Sequence, residues 1–433
     1  MPFADSIVAK LLLLTPPVIV SMLLTLLNAR DGYALWSISL GFLVTQTGYQ
    51  LDIGKIRISA LEILLVVLLP ILWWQSNRSI KINFRLRRSA YICLILFFAY
   101  SIIMFAISMI NHIELDFIVN EFKGFLLYPL MAYVVAAGLQ KYEHLRLSII
   151  TVVFMYVLVA TRGILDFARH MGGGAWYDVY RTSGGYAPIN TYGITMLTIC
   201  MLTLGIGLSL HDRRLKLLLL MISAWLFLGA VVSVSRTVWI AGIGGIIALV
   251  ISGRRGKYAI GLLLVALILF LTLPDQVAGR IDQISDSSSD KRSFYLESGI
   301  QTWKARWLTG WGWGVAYWYQ PTIGLVPAED MPWYHNDYLN LAVQVGAIGL
   351  MLYLGYWLQV LHTAHQWLRK HARSRAFGIL LGGQMALVAL LVSAGFEHVL
   401  WKPDIAGLVG WVCGLMLACM RLHDDEALQP RAA

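Results

Sequence analysis

Apolar runs of membrane length recur along almost the whole chain, and that recurrence leaves few folds open. A helix needs about 20 largely apolar residues to cross roughly 30 Å of hydrocarbon. Stretches of this kind lie at 9–27, 33–50, 58–75, 89–110, 120–139, 146–165, 188–209, 216–233, 237–252, 258–273, 337–361, 376–395 and 404–421. Backbone amides surrounded by lipid must find partners within their own segment, which selects helices. The predicted class is therefore an all-α polytopic integral membrane protein, with 1–433 as a single transmembrane domain. Composition argues against a soluble alternative, because 58% hydrophobic and 13% charged residues exceed what a soluble core requires. No small-residue cleavage site follows Leu11–Leu27 and further spans come at once, so this segment reads as retained rather than as a signal peptide. Cys93, Cys200, Cys413 and Cys419 lie within apolar runs and lack Cys-x-x-Cys spacing, which indicates neither a disulfide framework nor a zinc site.

Lys and Arg are retained on the cytoplasmic side during insertion, so the loops give the orientation. One alternate set is basic: Arg78, Lys81, Arg85, Arg87 and Arg88; Lys141 and Arg146; Arg213, Arg214 and Lys216; Arg254, Arg255 and Lys257; Arg369, Lys370, Arg373 and Arg375. The intervening loops, at 111–119, 166–187, 233–236, 274–335 and 396–403, carry acids at least as often as bases and are expected to face outward. Topology thus accounts for the net charge of +10 without a nucleic-acid partner. Thirteen spans with a cytoplasmic C-terminus would place Met1 outside. One of the first two stretches, interrupted by Pro16-Pro17 and by Asn28 to Gly32, is expected not to cross fully, leaving about twelve spans. The halves of the chain show no convincing self-similarity, and few charges fall at mid-membrane, where an ion-coupled transporter usually needs them.

A large outward loop at 274–335 exceeds what a connector requires and is expected to build a working surface against the bilayer. Ser287-Ser288-Ser289-Asp290 offers an N-cap for a helix from about Lys291. Leu296, Ile300, Trp303 and Trp307 then recur at helical spacing, with Arg292, Lys304 and Arg306 for a polar side, which predicts an amphipathic helix lying along the membrane surface. In Gly310-Trp311-Gly312-Trp313-Gly314 the glycines would let backbone approach a ligand. Arg236 stands at an outer mouth between two spans, where a guanidinium costs free energy unless it meets an anion. A diphosphate is such an anion, and the planar fork of arginine suits it. Snorkelling to lipid headgroups is the competing account. Arg292 lies in a first helical turn, against the preference for anions there, which suggests a partner elsewhere. Arg162, Arg181 and Lys123 are further outer-face bases, each with a neighbouring acid, Asp166, Asp178 or Glu121, that would satisfy it. His335 marks the return of the loop to the membrane beside Tyr334 and Asn336, and histidine is the side chain best able to accept a proton near neutral pH. A structural role is the competing account here as well. Glu114-Leu115-Asp116 is the one handle for a metal-assisted route, and two carboxylates alone make an incomplete oxygen site.

Ser233-Val234-Ser235-Arg236-Thr237-Val238-Trp239, then Arg292 ahead of Trp303 and the Gly-Trp repeat, then His335-Asn336-Asp337-Tyr338-Leu339 with Gly346 and Gly349, together resemble the O-antigen ligase and polymerase superfamily. The resemblance implies a membrane-embedded, GT-C-like inverting glycosyltransferase in the inner membrane of a Gram-negative bacterium, its active site facing the periplasm. The implied donor is an O-antigen glycan on undecaprenyl diphosphate, the acceptor a sugar hydroxyl of the lipid A-core oligosaccharide, and no cofactor or metal is expected. It carries over Arg236 and Arg292 as diphosphate-binding residues and His335 as the essential histidine, with Glu397 a looser match to an acidic position. Tyr334, Asn336, Arg162, Arg181 and Lys123 are expected to assist substrate binding, Tyr334 by stacking on sugars. The single dominant loop with one histidine looks more like a ligase than a polymerase, and a lipid or solute transporter is the rival of a different class.

Overall fold

The computed structural model describes residues 50–53, 56–59, 62, 65, 88–169, 188–252, 287–315, 334–400 and 402–428. Among them are ten helices: α1 (Arg88–Ile110), α2 (Leu115–Gly138), α3 (Tyr142–Ala168), α4 (Ile189–Ser209), α5 (Arg213–Val231), α6 (Arg236–Ile251), α7 (Ser287–Ala305), α8 (Asp337–Lys370), α9 (Phe377–Ala394) and α10 (Pro403–Leu428). Eight are long and apolar enough to cross a membrane, and α6 is an apolar helix of 16 residues. Nine predicted spans correspond to α1–α6 and α8–α10, and those at 9–27 and 258–273 lie outside the described residues. The N-terminal region adds a feature that hydropathy does not predict. Strands β1 (Gln50–Ile53) and β2 (Ile56–Ser59) pair antiparallel where the spans 33–50 and 58–75 were expected to end and begin. Ile53, Ile56 and Ile58 favour extended backbone, and the register sets Asp52 opposite Arg57.

Side chains such as Ile95 and Ile103 on α1, Met221 on α5, Ile243 on α6 and Leu358 on α8 point outward, the apolar surface that a lipid solvent requires. Helices pack inward through small residues, the usual means of close approach where lipid removes a hydrophobic drive between helices. Gly205 of α4 lies against the backbone of Gly382 of α9. Gly410 and Gly414 of α10 face Met131 and Val135 of α2, where an added Cβ would come within 2.5 Å. Phe125 and Tyr128 of α2 meet Tyr353 of α8 with ring centroids 5.7 and 6.0 Å apart, forming an aromatic core with Trp313 and Trp357.

The bundle has two distinct ends. At one, Arg421 donates to the Leu139 carbonyl at 2.6 Å, Ser374 bonds His423 at 3.1 Å, and Trp367, His371 and His423 stack together. The basic loops containing Lys141, Arg369, Lys370, Arg373 and Arg375 lie there. At the other end gather the first turns of α4, α6, α8 and α10 and the end of α9.

Two features bring α7 and the chain after it onto this second end. Helix α8 is broken at Gly346 (φ 65°, ψ −173°), and the segment after α7 fills the break. Trp311 and Gly312 donate to the Val343 and Gln344 carbonyls at 3.0 and 2.9 Å, while Ala347 and Ile348 donate to those of Trp307 and Leu308 at 2.8 and 3.3 Å. Gly310, Gly312 and Gly314 all have positive φ, and side chains there would collide with Gly346, Ser108 and Ile118. The glycines therefore admit protein backbone rather than a ligand, which corrects the expectation for this repeat. Helix α7 begins at Ser287, not near Lys291, and buries Ser298, Gly299 and Thr302, while Leu296 on it and Trp307 just past its end face outward.

Candidate active site at the outer helix junctions

The site is made where two chain segments, 334–337 and 395–402, cross beside the first turn of α4. Asn336 caps α8, its Oδ1 accepting from Leu339 N at 3.0 Å. That cap fixes the residue before it, and His335 sits with φ 48°, a left-handed conformation rare for a side chain of this size. Strain of this kind persists only where neighbours hold it. The holding contact is Glu397, whose Oε1 lies 3.1 Å from His335 Nδ1. Glu397 is nearly buried, at 6% side-chain exposure, while His335 keeps 31%, so the imidazole is the member that reaches open space. Asn190 of α4 donates to the other Glu397 oxygen at 2.5 Å.

A second pair runs beside the first. Asp337 and His398, both buried, meet at 2.9 Å through Oδ1 and Nδ1, and Asp337 Oδ2 accepts from the Val399 and Leu400 amides at 2.8 Å each. The contiguous run His335-Asn336-Asp337 thus grips Glu397, the α8 terminus and the 398–400 backbone in turn. Burial pushes the His398 imidazole below its ordinary value, with the Asp337 bond acting in the opposite direction. His398 is therefore neutral at neutral pH, donating Nδ1–H to the carboxylate.

The sign of the pH effect follows. The folded value is depressed, so the unfolded chain takes up this proton first as pH falls, and the contribution of His398 to stability is complete above the ordinary value of 6.5 and declines below it. The melting temperature in detergent should therefore fall on acidification from about pH 7 to about pH 5. His398→Gln should flatten that slope; an unchanged slope would count against the assignment.

Arg236 is the first residue of α6, half-buried, and follows a turn in which Val234 also has positive φ, 46°. Ser233 of that turn and Val238 of α6 lie against Gly193, three residues after Asn190. Arg236 and His335 therefore open at the same end of the bundle, tied through the first turns of α4. Helix α7 passes nearby, the Tyr295 ring centroid 6.5 Å from that of His335. Arg292 lies one turn earlier on α7, its side chain outside the described residues.

Residues 217–354, from α5 through α7 into α8, match the family model described as O-antigen ligase. That segment, less than half of the chain, makes the protein similar to this family. No curated protein matches it. The family is one of glycosyltransferase-like membrane enzymes related to lipopolysaccharide. The matched segment carries Arg236, Arg292 and His335, whereas Asn190, Glu397, His398 and Lys402 come from outside it.

Other residues fall elsewhere. Tyr334 is buried, with Cδ1 2.8 Å from where a Cβ on Gly299 would stand, so its ring serves the α7–α8 contact rather than a sugar. The oxygen of Asn336 is occupied by the helix cap. Lys123 pairs with Glu62 at 2.9 Å, and the Glu121 carboxylate accepts the Asn340 and Gln344 amides at 3.3 and 3.1 Å. Arg162 is exposed on α3 beside Asp166 at 3.9 Å, the partner its spacing predicts, and Arg181 lies outside the described residues. Among the described residues no three His, Cys, Asp or Glu side chains form a group that would hold a metal ion. Sequence reading missed Asn190, the Asp337–His398 pair and Lys402. The adjacent acid and imidazole of Glu397-His398, immediately after a span, were the available signal.

Proposed function

We propose that this protein is an O-antigen ligase, transferring polysaccharide from undecaprenyl diphosphate to a sugar hydroxyl of the lipid A-core oligosaccharide at the periplasmic face of the inner membrane. The observation that carries the reading is the His335 imidazole, held through Nδ1 by buried Glu397 and presented at the end of the bundle where Arg236 also emerges. Glu397 favours the tautomer with hydrogen on Nδ1, which leaves the Nε2 lone pair as the base. The acceptor hydroxyl attacks the anomeric carbon opposite the diphosphate and passes its proton to Nε2. The carbon–oxygen bond to the diphosphate breaks with inversion, and its electron pair remains on phosphate oxygen. Arg236 and Arg292 stabilise that charge, so the leaving group needs no proton.

The test is transfer by the purified protein in vesicles, supplied with lipid-linked polysaccharide and lipid A-core. Covalent product is expected; donor crossing the bilayer without product would favour a transporter. A deletion strain separates the two members of the superfamily: a ligase leaves long polymer on its lipid carrier and the core uncapped, a polymerase leaves single units. Arg236→Lys keeps the charge and loses the bidentate fork, so donor use should fall about tenfold or more. Near-normal activity would restore the snorkelling account.

A further inference from the structure

Lys402 stands in the half of the site that lies outside the matched segment. Its carbonyl accepts from Ala406 N at 2.8 Å, so the residue occupies the N-terminal end of α10. Amides at a helix N-terminus present partial positive charge, and a cation there is disfavoured unless an anion is close. The half-buried ammonium donates to Thr191 Oγ1 at 3.1 Å, its one hydrogen-bond partner among the described residues. A hydroxyl supplies no charge, and the Glu397 and Asp337 carboxylates of the same junction are bonded to His335 and His398.

Thr191 gives the ammonium a definite address. On the first turns of α4, Asn190 holds Glu397, Thr191 holds Lys402, and Gly193 underlies the turn that launches Arg236. Lys402 and Arg236 therefore flank one stretch of α4, with the Glu397–His335 pair beside them. We propose that Lys402 is a further cation for the donor diphosphate, gripping it from the α10 side while Arg236 grips from the α6 side. This rests on the transfer reading above and deepens it. The two side chains divide the work: a guanidinium fixes phosphate orientation, whereas an ammonium on a flexible stem follows charge as it gathers on the leaving oxygen.

The test uses the full chain in phosphatidylcholine nanodiscs, with undecaprenyl diphosphate as the probe and undecaprenol as its uncharged control. Lys402→Ala should weaken binding of the diphosphate about tenfold and leave undecaprenol unaffected, Lys402→Arg should stay within about threefold of wild type, and Thr191→Val should show a smaller loss than Lys402→Ala. In transfer assays the same loss should fall on the donor KM more than on kcat. Wild-type affinity in Lys402→Ala, an equal loss for undecaprenol, or a loss seen only when anionic phospholipid replaces phosphatidylcholine would each overturn the inference. Wild-type protein that binds and transfers while Lys402→Ala matches it removes Lys402 alone. Failure of wild-type protein to bind or transfer removes the underlying function.

Discussion

Replacing His335 with alanine should reduce polysaccharide transfer by about 10² to 10⁴, the usual worth of a positioned base. Lipid-linked glycan should persist in cells while polymer-bearing lipopolysaccharide disappears. The loss should appear in kcat, because His335 is only partly buried and contributes one side of a single pair to the fold. Glu397 supplies the discriminating companion. Its carboxylate touches His335 Nδ1 rather than open space, so Glu397→Gln, which keeps the shape, should lower kcat and alter its pH profile with donor KM little changed. Normal ligation by His335→Ala would remove the imidazole from catalysis.

Asp337→Ala should destabilise the protein by about 3–5 kcal/mol, the range found when a buried, hydrogen-bonded charge partner is removed. Three groups lose their acceptor together: the His398 ring and the Val399 and Leu400 amides, all buried. Each orphaned donor costs about 1–3 kcal/mol if water does not enter. The same contacts fix the residues immediately after Glu397, so transfer should fall along with thermal stability. Asp337→Asn retains one acceptor oxygen and should lose less on both measures. If Asp337→Ala melts at the wild-type temperature in detergent, the 398–400 segment is held by something other than this carboxylate.

Hydropathy alone revealed most of the architecture, because hydrocarbon imposes one answer on a long apolar run: α1 to α6 and α8 to α10 lie where apolar residues accumulate. The β1–β2 pair escaped notice because isoleucines serve a strand as readily as a span. The Gly-Trp repeat was recognised as backbone needing close approach, but nothing in a linear string says what is approached, and the partner proved to be the broken turn of α8 thirty-odd residues away. At the site, charge out of place drew attention to Arg236, and motif order drew it to His335. Asn190 carried no such mark, since an asparagine at the start of an apolar helix is ordinary until a carboxylate from elsewhere is set against it. Glu397 was visible as an acid after a span, while its contact with His335 depends on two junctions 62 residues apart meeting in space.

The insertion of residues 307–314 into the gap at Gly346 has a bearing on how α8 can move. Swinging that segment aside would strip partners from Trp311, Gly312, Ala347 and Ile348 amides and from Gly314, which donates to Gln344 Oε1 at 2.8 Å. At about 1 kcal/mol net for each bond broken, such an excursion costs about 5 kcal/mol, so the insertion and both halves of α8 move as one piece. Gly346 is therefore a splice in α8 rather than a hinge, and His335 at the head of that helix keeps its place relative to the segment that follows α7.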